Sequence, residues 1–285
     1  MNQFVWSAFA DEIDEDLTIQ MDVLESHGIK HIEMRGVNGR NFVSYSLEEV
    51  KEIKKKLDGR GFKLSAIGSP IGKISITDDF KPHLDLFKHT IEIAAIMGCQ
   101  YIRMFSFFIP ADENPDRYKD EVVSRWKQFL EVAKGRGIIL LHENEKGIFG
   151  DTPERCLELM KALQSERVSL IFDFANFVQC DVEVFPHAYE LLKEEISYIH
   201  VKDALYENHK VVPAGEGDGK LKEVLSELAQ DGYEGFLSLE PHLWGFKGFE
   251  DLEPNSPAVN LPEGDQRNFA VAVQALGNIL KEIKS

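Results

Sequence analysis

Short apolar runs of strand character alternate with longer amphipathic stretches from one end of this chain to the other, eight times over. The runs are QFVWSAFA (Gln3–Ala10), KHIEMR (Lys30–Arg35), FKLSAIG (Phe62–Gly68), YIRMFS (Tyr101–Ser106), IILLHE (Ile138–Glu143), VSLIFD (Val168–Asp173), ISYIHVK (Ile196–Lys202) and GFLSLE (Gly235–Glu240). Strands separated by helices lie parallel and are covered on both faces, so each run reads as rather apolar throughout. Eight such units within 285 residues point to an α/β fold, a (β/α)8 TIM barrel in a single domain spanning 1–285. A doubly wound sheet would declare a glycine-rich turn after its first strand, and this chain reads FADEID there.

The stretches between the runs carry helix punctuation. DEDLTIQMDVLESHG sets Leu17, Met21 and Leu24 at helical spacing and stops at Gly28. Ser46 with Glu49 three residues on forms a capping box, and Asp151 or Thr152 ahead of Pro153 opens another helix. Glycines in ESHGIKHIE, DGRGFKLSA, IMGCQYIRM and KGRGIILLH let a helix turn back through a left-handed residue into the next strand. One connection breaks this rhythm: the loop 241–266, rich in proline and aromatic residues, precedes the C-terminal helix. It leaves the C-terminal end of a strand, the catalytic face of such barrels, and is expected to form a lid or a subunit contact.

A net charge of −17 repels phosphate backbones and anionic lipid, so neither a nucleic-acid nor a membrane partner is expected. The first residues lack the basic start and apolar core of a secretory leader. Cys99, Cys156 and Cys180 fit no zinc-binding or disulfide spacing and read as reduced thiols. A cytoplasmic location is the expectation.

Four successive runs end alike, in Glu143, Asp173, His200 and Glu240. Alternate residues of a strand share a face. Glu143 therefore goes with Leu141 and Ile139, Asp173 with Ile171 and Ser169, His200 with Tyr198 and Ile196, and Glu240 with Ser238 and Phe236. Each strand would send apolar or small residues into the barrel and one ionisable group to its mouth. Three carboxylates crowded there resist ionising together, and a divalent cation removes that difficulty. Three oxygen donors and one imidazole suit Mn2+ first, with Mg2+, Co2+ or Zn2+ behind it. The competing reading is four separate groups at strand ends, neutralised by basic residues such as Arg35, Arg103 and Lys202.

HEN followed by GDTPE, then FDFAN, HVKDA, GEGDG and GYEGFLSLEPH, in that order, resemble the xylose isomerase-like sugar phosphate isomerase/epimerase family. The resemblance covers the whole barrel and is strongest over 138–242. It implies that Glu143, Asp173, His200 and Glu240 are metal ligands, and that the substrate is a small sugar or polyol. A cation chelated by a carbonyl and its neighbouring hydroxyl acidifies the C–H between them and stabilises an enediolate. Glu143 and Glu240, from strands on different sides of the gap, are the candidate catalytic acid and base. Isomerisation or epimerisation is the leading expectation, and expulsion of a β-hydroxyl would make the same site a dehydratase acting on a keto-sugar or inosose. Ketose 3-epimerases of the family usually carry a histidine, a glutamate and an arginine where this chain has Asn176, Phe149 and Tyr206. Those departures point to a different substrate.

Weaker candidates for substrate contact are Glu145, Asn176, Lys202, His242 and Arg103, with Glu33 and Arg35 sharing a face with His31 on the second strand. Trp6, Phe9, Phe107 and Phe108 are candidate apolar walls, and Asp218 a candidate helix cap beside GEGDG. Two other classes compete. The family's nuclease branch needs many histidine ligands and a grip on a polyanion. A non-catalytic sugar-binding or partner subunit would use the aromatic loop Leu243–Phe249 as a contact. A homo-oligomer is the default assembly.

Overall fold

The computed structural model describes residues 4–244 and 268–283. Its strands are β1 (Val5–Ala8), β2 (His31–Met34), β3 (Lys63–Ile67), β4 (Tyr101–Met104), β5 (Ile139–Glu143), β6 (Val168–Asp173), β7 (Ile196–Val201) and β8 (Phe236–Leu239). All lie within the expected runs and form one parallel eight-stranded sheet in the order β1-β8-β7-β6-β5-β4-β3-β2. Ser7 pairs with Ser238, joining the first strand to the last, and β1 packs beside β2 at the remaining seam. The chain is a TIM barrel.

The helices are α1 (Leu17–Ser26), α2 (Leu47–Gly59), α3 (Phe80–Met97), α4 (Lys119–Val132), α5 (Pro153–Leu163), the short α6 (Phe174–Gln179) and α7 (Tyr189–Leu192), α8 (Leu221–Gln230) and α9 (Phe269–Ile283). Their ends follow local chemistry. Ser46 and Glu49 make the capping box of α2, and the Thr152 hydroxyl accepts from Arg155 N at the start of α5. Gly28, Gly61, Gly98 and Gly137 all take positive φ between a helix and the next strand.

Two cores follow from the alternation of side chains. Outward residues such as Leu140, Leu170, Ile199 and Leu237 bury against the helices. Inward, Ala66, Leu141, Ile171 and Tyr198 fill the barrel, with Tyr101, Ile139 and Phe236 packed on them. One expected inward residue is not there. The register between β6 and β7 jumps from Leu170↔Ile196 to Ile171↔Tyr198, so Ser197 is an extra residue. That bulge turns Ile196 into the outer core and starts the inner face of β7 at Tyr198.

Asp218 does not cap α8. The residue before α8 is Lys220 with φ 56°, and Asp218 instead accepts from Tyr206 N at 2.8 Å. GEGDG wraps the carboxylate of Asp203, which accepts from Gly215 N (2.9 Å), Gly217 N (3.0 Å) and Gly219 N (2.9 Å). A Cβ on Gly217 would sit 2.4 Å from Asp203 Oδ1 and 2.5 Å from the Ala204 carbonyl oxygen, so this close approach requires glycine.

Cys99 and Cys156 are buried, Cys180 is partly buried, and all three are free thiols. No helix among the described residues is long and apolar enough to cross a membrane. Most of the loop 241–266, with its expected lid or subunit contact, lies outside the described residues. Its first residues are tied down: Trp244 is buried and its indole N–H donates to the Glu12 carbonyl at 2.6 Å.

Candidate metal centre

Parallel pairing brings the four strand ends level. Asp173 pairs with His200, His200 pairs with Ser238, and Glu240 N donates to Val201 O, placing Glu240 just past β8. One donor atom from each of Glu143, Asp173, His200 and Glu240 lies within 4.8 Å of the others, and all four residues are buried. His200 Nδ1 is 3.0 Å from Glu143 Oε1, 3.3 Å from Glu240 Oε2 and 3.7 Å from Asp173 Oδ2. The structure thus gathers the whole set that the strand ends singled out.

Local folding aims each group. Asp173 closes β6 and caps α6, its Oδ1 accepting from Asn176 N at 2.7 Å, which leaves Oδ2 for the mouth. Oδ2 accepts no well-aligned hydrogen bond, with Lys202 Nζ 3.1 Å away as an ionic neighbour. Asn144 ties β5 to β6: its Nδ2 donates to Asp173 O and its Oδ1 accepts from Asp173 N, both at 2.9 Å.

Cations crowd the carboxylates. Arg103 Nη1 reaches Glu143 Oε2 at 3.2 Å and Glu240 Oε1 at 3.6 Å. Arg35 Nη1 donates to Glu240 Oε1 at 3.0 Å, and Lys202 Nζ to Glu240 Oε2 at 3.2 Å. Burial opposes ionisation of Glu240, but Lys202 and His200 outweigh it and hold the carboxyl well below its usual range. Burial likewise opposes charge on Lys202, yet Asp173 and Glu240 keep it well above the ordinary lysine value. For His200, burial is outweighed by Glu33, Glu143 and Glu240, so the imidazole pKa lies well above its ordinary value.

The weaker candidates surround this set. Asn176 Nδ2 donates to Glu143 Oε1 at 3.3 Å, and its buried Oδ1 has no hydrogen-bond partner. Glu145 is held by Lys73 at 3.1 Å; burial is outweighed by Lys73 and Lys146, drawing its pKa down to about 2. His242 is buried with φ 45°, its Nε2 3.3 Å from Glu12 Oε1 and 3.6 Å from Glu240 Oε1. Burial pushes Glu12 up to about 8, against the pull of Arg35, which also pairs with Asp11 at 2.8 Å. Phe9 stands edge-on to His200 at 5.1 Å, with the Arg35 and Arg103 guanidinium groups 4.4 and 4.9 Å from its ring centre. Trp6 and Phe107 pack into the outer core instead. Phe149 is also in the outer core, and the Tyr206 hydroxyl donates to Val182 O at 2.7 Å.

Sequence reading passed over Asn144, whose role is a cross-strand clasp with no periodic signature. Glu33, named only among the weaker candidates, is an acid between Ile32 and Met34 on a mostly apolar strand, which is the signal of a buried partner. Glu33 is fully buried and faces His200 Nε2 at 3.1 Å.

A family model described as xylose isomerase-like TIM barrel matches residues 21–260. A probable L-ribulose-5-phosphate 3-epimerase, UlaE, of Mycoplasma pneumoniae is 22% identical over 194 residues, covering 66% of this chain and 63% of that protein. The chain therefore spans less than two thirds of that relative's length. A D-tagatose 3-epimerase-like protein superposes with a TM-score of 0.76 at 19% identity, over 99% of this chain and 98% of its own. An IOLI protein crystallised with a binding zinc atom gives 0.75 at 17% identity, over 98% and 99%. The probable 3-DHS dehydratase AsbF of Bacillus anthracis gives 0.67 at 18% identity, over 84% and 92%. At these identities the likeness to the solved structures establishes the shared fold.

Proposed function

Because the chain belongs to the xylose isomerase-like TIM barrel family, we propose that it is a divalent-metal-dependent sugar isomerase or epimerase. The observation that carries this reading is the convergence of Glu143, Asp173, His200 and Glu240 donor atoms within 4.8 Å at one barrel mouth. The donor set fits a cation on chemical grounds: three carboxylates share one buried space, and Asp173 Oδ2 lacks a well-aligned donor. Three oxygens and one nitrogen favour Mn2+, and Mg2+, Co2+ and Zn2+ are also accommodated. A bound divalent ion supplies Lewis acidity toward a carbonyl and its neighbouring hydroxyl.

The chain's own residues supply the rest. Glu143 and Glu240 exchange the proton at the carbon beside the substrate carbonyl through an enediolate. Lys202 and Arg35 pair with Glu240, and Arg103 with Glu143. Asn176 Oδ1, lacking a partner, accepts from a substrate hydroxyl. Phe9 gives an apolar wall behind His200. Similarity to a probable dehydratase supports a second reading, in which the same enediolate expels a β-hydroxyl from a keto-sugar.

Incubation with a panel of ketoses, keto-sugars and inososes in heavy water, with Mn2+ present, tests both. Deuterium at the carbon beside the carbonyl, with an isomeric product, supports the first reading. Loss of water supports the second. A panel that shows neither exchange nor conversion refutes both.

A further inference from the structure

Glu33 enters the barrel from β2, on the far side of the ring from β7, and meets His200 Nε2 with both oxygens, at 3.2 and 3.1 Å. Neither side chain is exposed to solvent. The other ring nitrogen, Nδ1, faces Glu143, Glu240 and Asp173 at 3.0, 3.3 and 3.7 Å. An imidazole nitrogen either carries a proton or offers a lone pair, so the partner of one nitrogen decides what the other can do. The ring is also clamped, edge-on to Phe9 at 5.1 Å and to Tyr198 at 5.8 Å. Those apolar contacts fix the ring plane but cannot tell a nitrogen from a carbon. A half-turn of the ring would exchange Nδ1 with Cδ2 and Nε2 with Cε1, presenting carbon both to Glu33 and to the acidic cluster. Beside the carboxylates that face Nδ1, a hydrogen-bond acceptor opposite Nε2 favours the orientation with nitrogen at both places.

We propose that Glu33 is a positioning residue: it keeps a proton on His200 Nε2 and so makes Nδ1 the nitrogen that turns its lone pair to an entering cation. This rests on the reading of Glu143, Asp173, His200 and Glu240 as that site. Glu33 itself, sealed between β2 and the imidazole, touches neither cation nor substrate.

The test compares wild type with Glu33→Gln and Glu33→Leu, by calorimetric titration with Zn2+ and by proton–nitrogen NMR of the zinc-loaded histidines. In wild type, His200 shows a slowly exchanging Nε2 proton and an Nδ1 resonance displaced by zinc. In the leucine variant the proton exchanges freely and zinc affinity falls by about 10–100-fold. The glutamine variant, whose amide oxygen still accepts from Nε2, is intermediate on both measures, a graded rescue that a purely structural role would not produce. If the leucine chain does not fold, the Nε2 resonance of the glutamine variant decides, because it must move if Glu33 is its partner. Folded variants that bind zinc as wild type does, with an unmoved Nε2 resonance, overturn this inference and leave the cation site standing. Wild type that takes up no cation overturns the site itself.

Discussion

Asn144 and Asp173 hold each other across the β5–β6 seam by two reciprocal hydrogen bonds of 2.9 Å, side-chain amide to main chain in both directions. The pair sets the spacing of the two strand ends that carry Glu143 and Asp173. Replacing Asn144 with alanine strands a buried N–H and a buried carbonyl, at a cost of roughly 2–4 kcal/mol. We expect a lower denaturant midpoint and weaker cation binding together. Unchanged binding in a destabilised variant would show that the clasp serves the fold alone.

Asp173→Asn separates two roles of one side chain. Asparagine caps a helix as well as aspartate does, through the oxygen that now meets Asn176 N. It replaces Oδ2 with an amide that cannot ligate a cation. The variant should fold, with α6 intact by circular dichroism, and lose more cation affinity than the roughly 10–100-fold cost of removing a ligand's outer partner. Retention of wild-type affinity would remove Asp173 from the ligand set.

Cation affinity should rise with pH. Burial is outweighed by the charges of Glu33, Glu143 and Glu240, so His200 keeps its proton well above the ordinary imidazole pKa. An entering ion must expel the Nδ1 proton, giving about a tenfold gain in affinity per pH unit below that pKa. Titrations from pH 6 to 8 check this, and a flat profile would mean that no proton leaves.

Acid should destabilise the fold through His83. Its Nε2 accepts from Gly72 N at 2.6 Å, and burial draws its pKa down to about 4. The unfolded chain binds a proton near pH 6.5 and the native one does not, so stability falls as pH drops from about 6.5 to 4, by up to about 1.4 kcal/mol per pH unit. His142, lowered by burial to about 3, acts in the same direction. Denaturant unfolding of wild type and His83→Gln over this range should show a shallower slope in the variant. Parallel slopes would exclude His83 as a source.

Sequence reading worked where structure is set by neighbours in the chain. The Ser46–Glu49 box, the Thr152 cap and the glycine exits are local, and the structure has each of them. Alternation placed Leu141, Ile171 and Tyr198 inside the barrel because strand geometry repeats every two residues. It failed at Ile196 because a bulge at Ser197 adds a residue that no pattern announced. Pairing choices were also hidden. Arg35 meets Glu240 from 205 residues away, and His200 meets Glu33 from 167, so which charge neutralises which depends on the closed ring. In GEGDG, Gly217 and Gly219 make room for the carboxylate of Asp203, a contact invisible until the chain folds.

The pairing of Ser7 with Ser238 means that the strand bearing the final donor is also the one that docks against the first strand. A growing chain released in order from the ribosome would display Glu143, Asp173 and His200 around an unsealed gap, with Arg103 beside Glu143 and Arg35 already beside Asp11 and Glu12. The four-donor set proposed to hold a cation would be complete only once Glu240 slides into that gap. Occupancy at the mouth would then serve as a readout of finished biosynthesis, silent in any nascent chain that stalls short of its eighth strand.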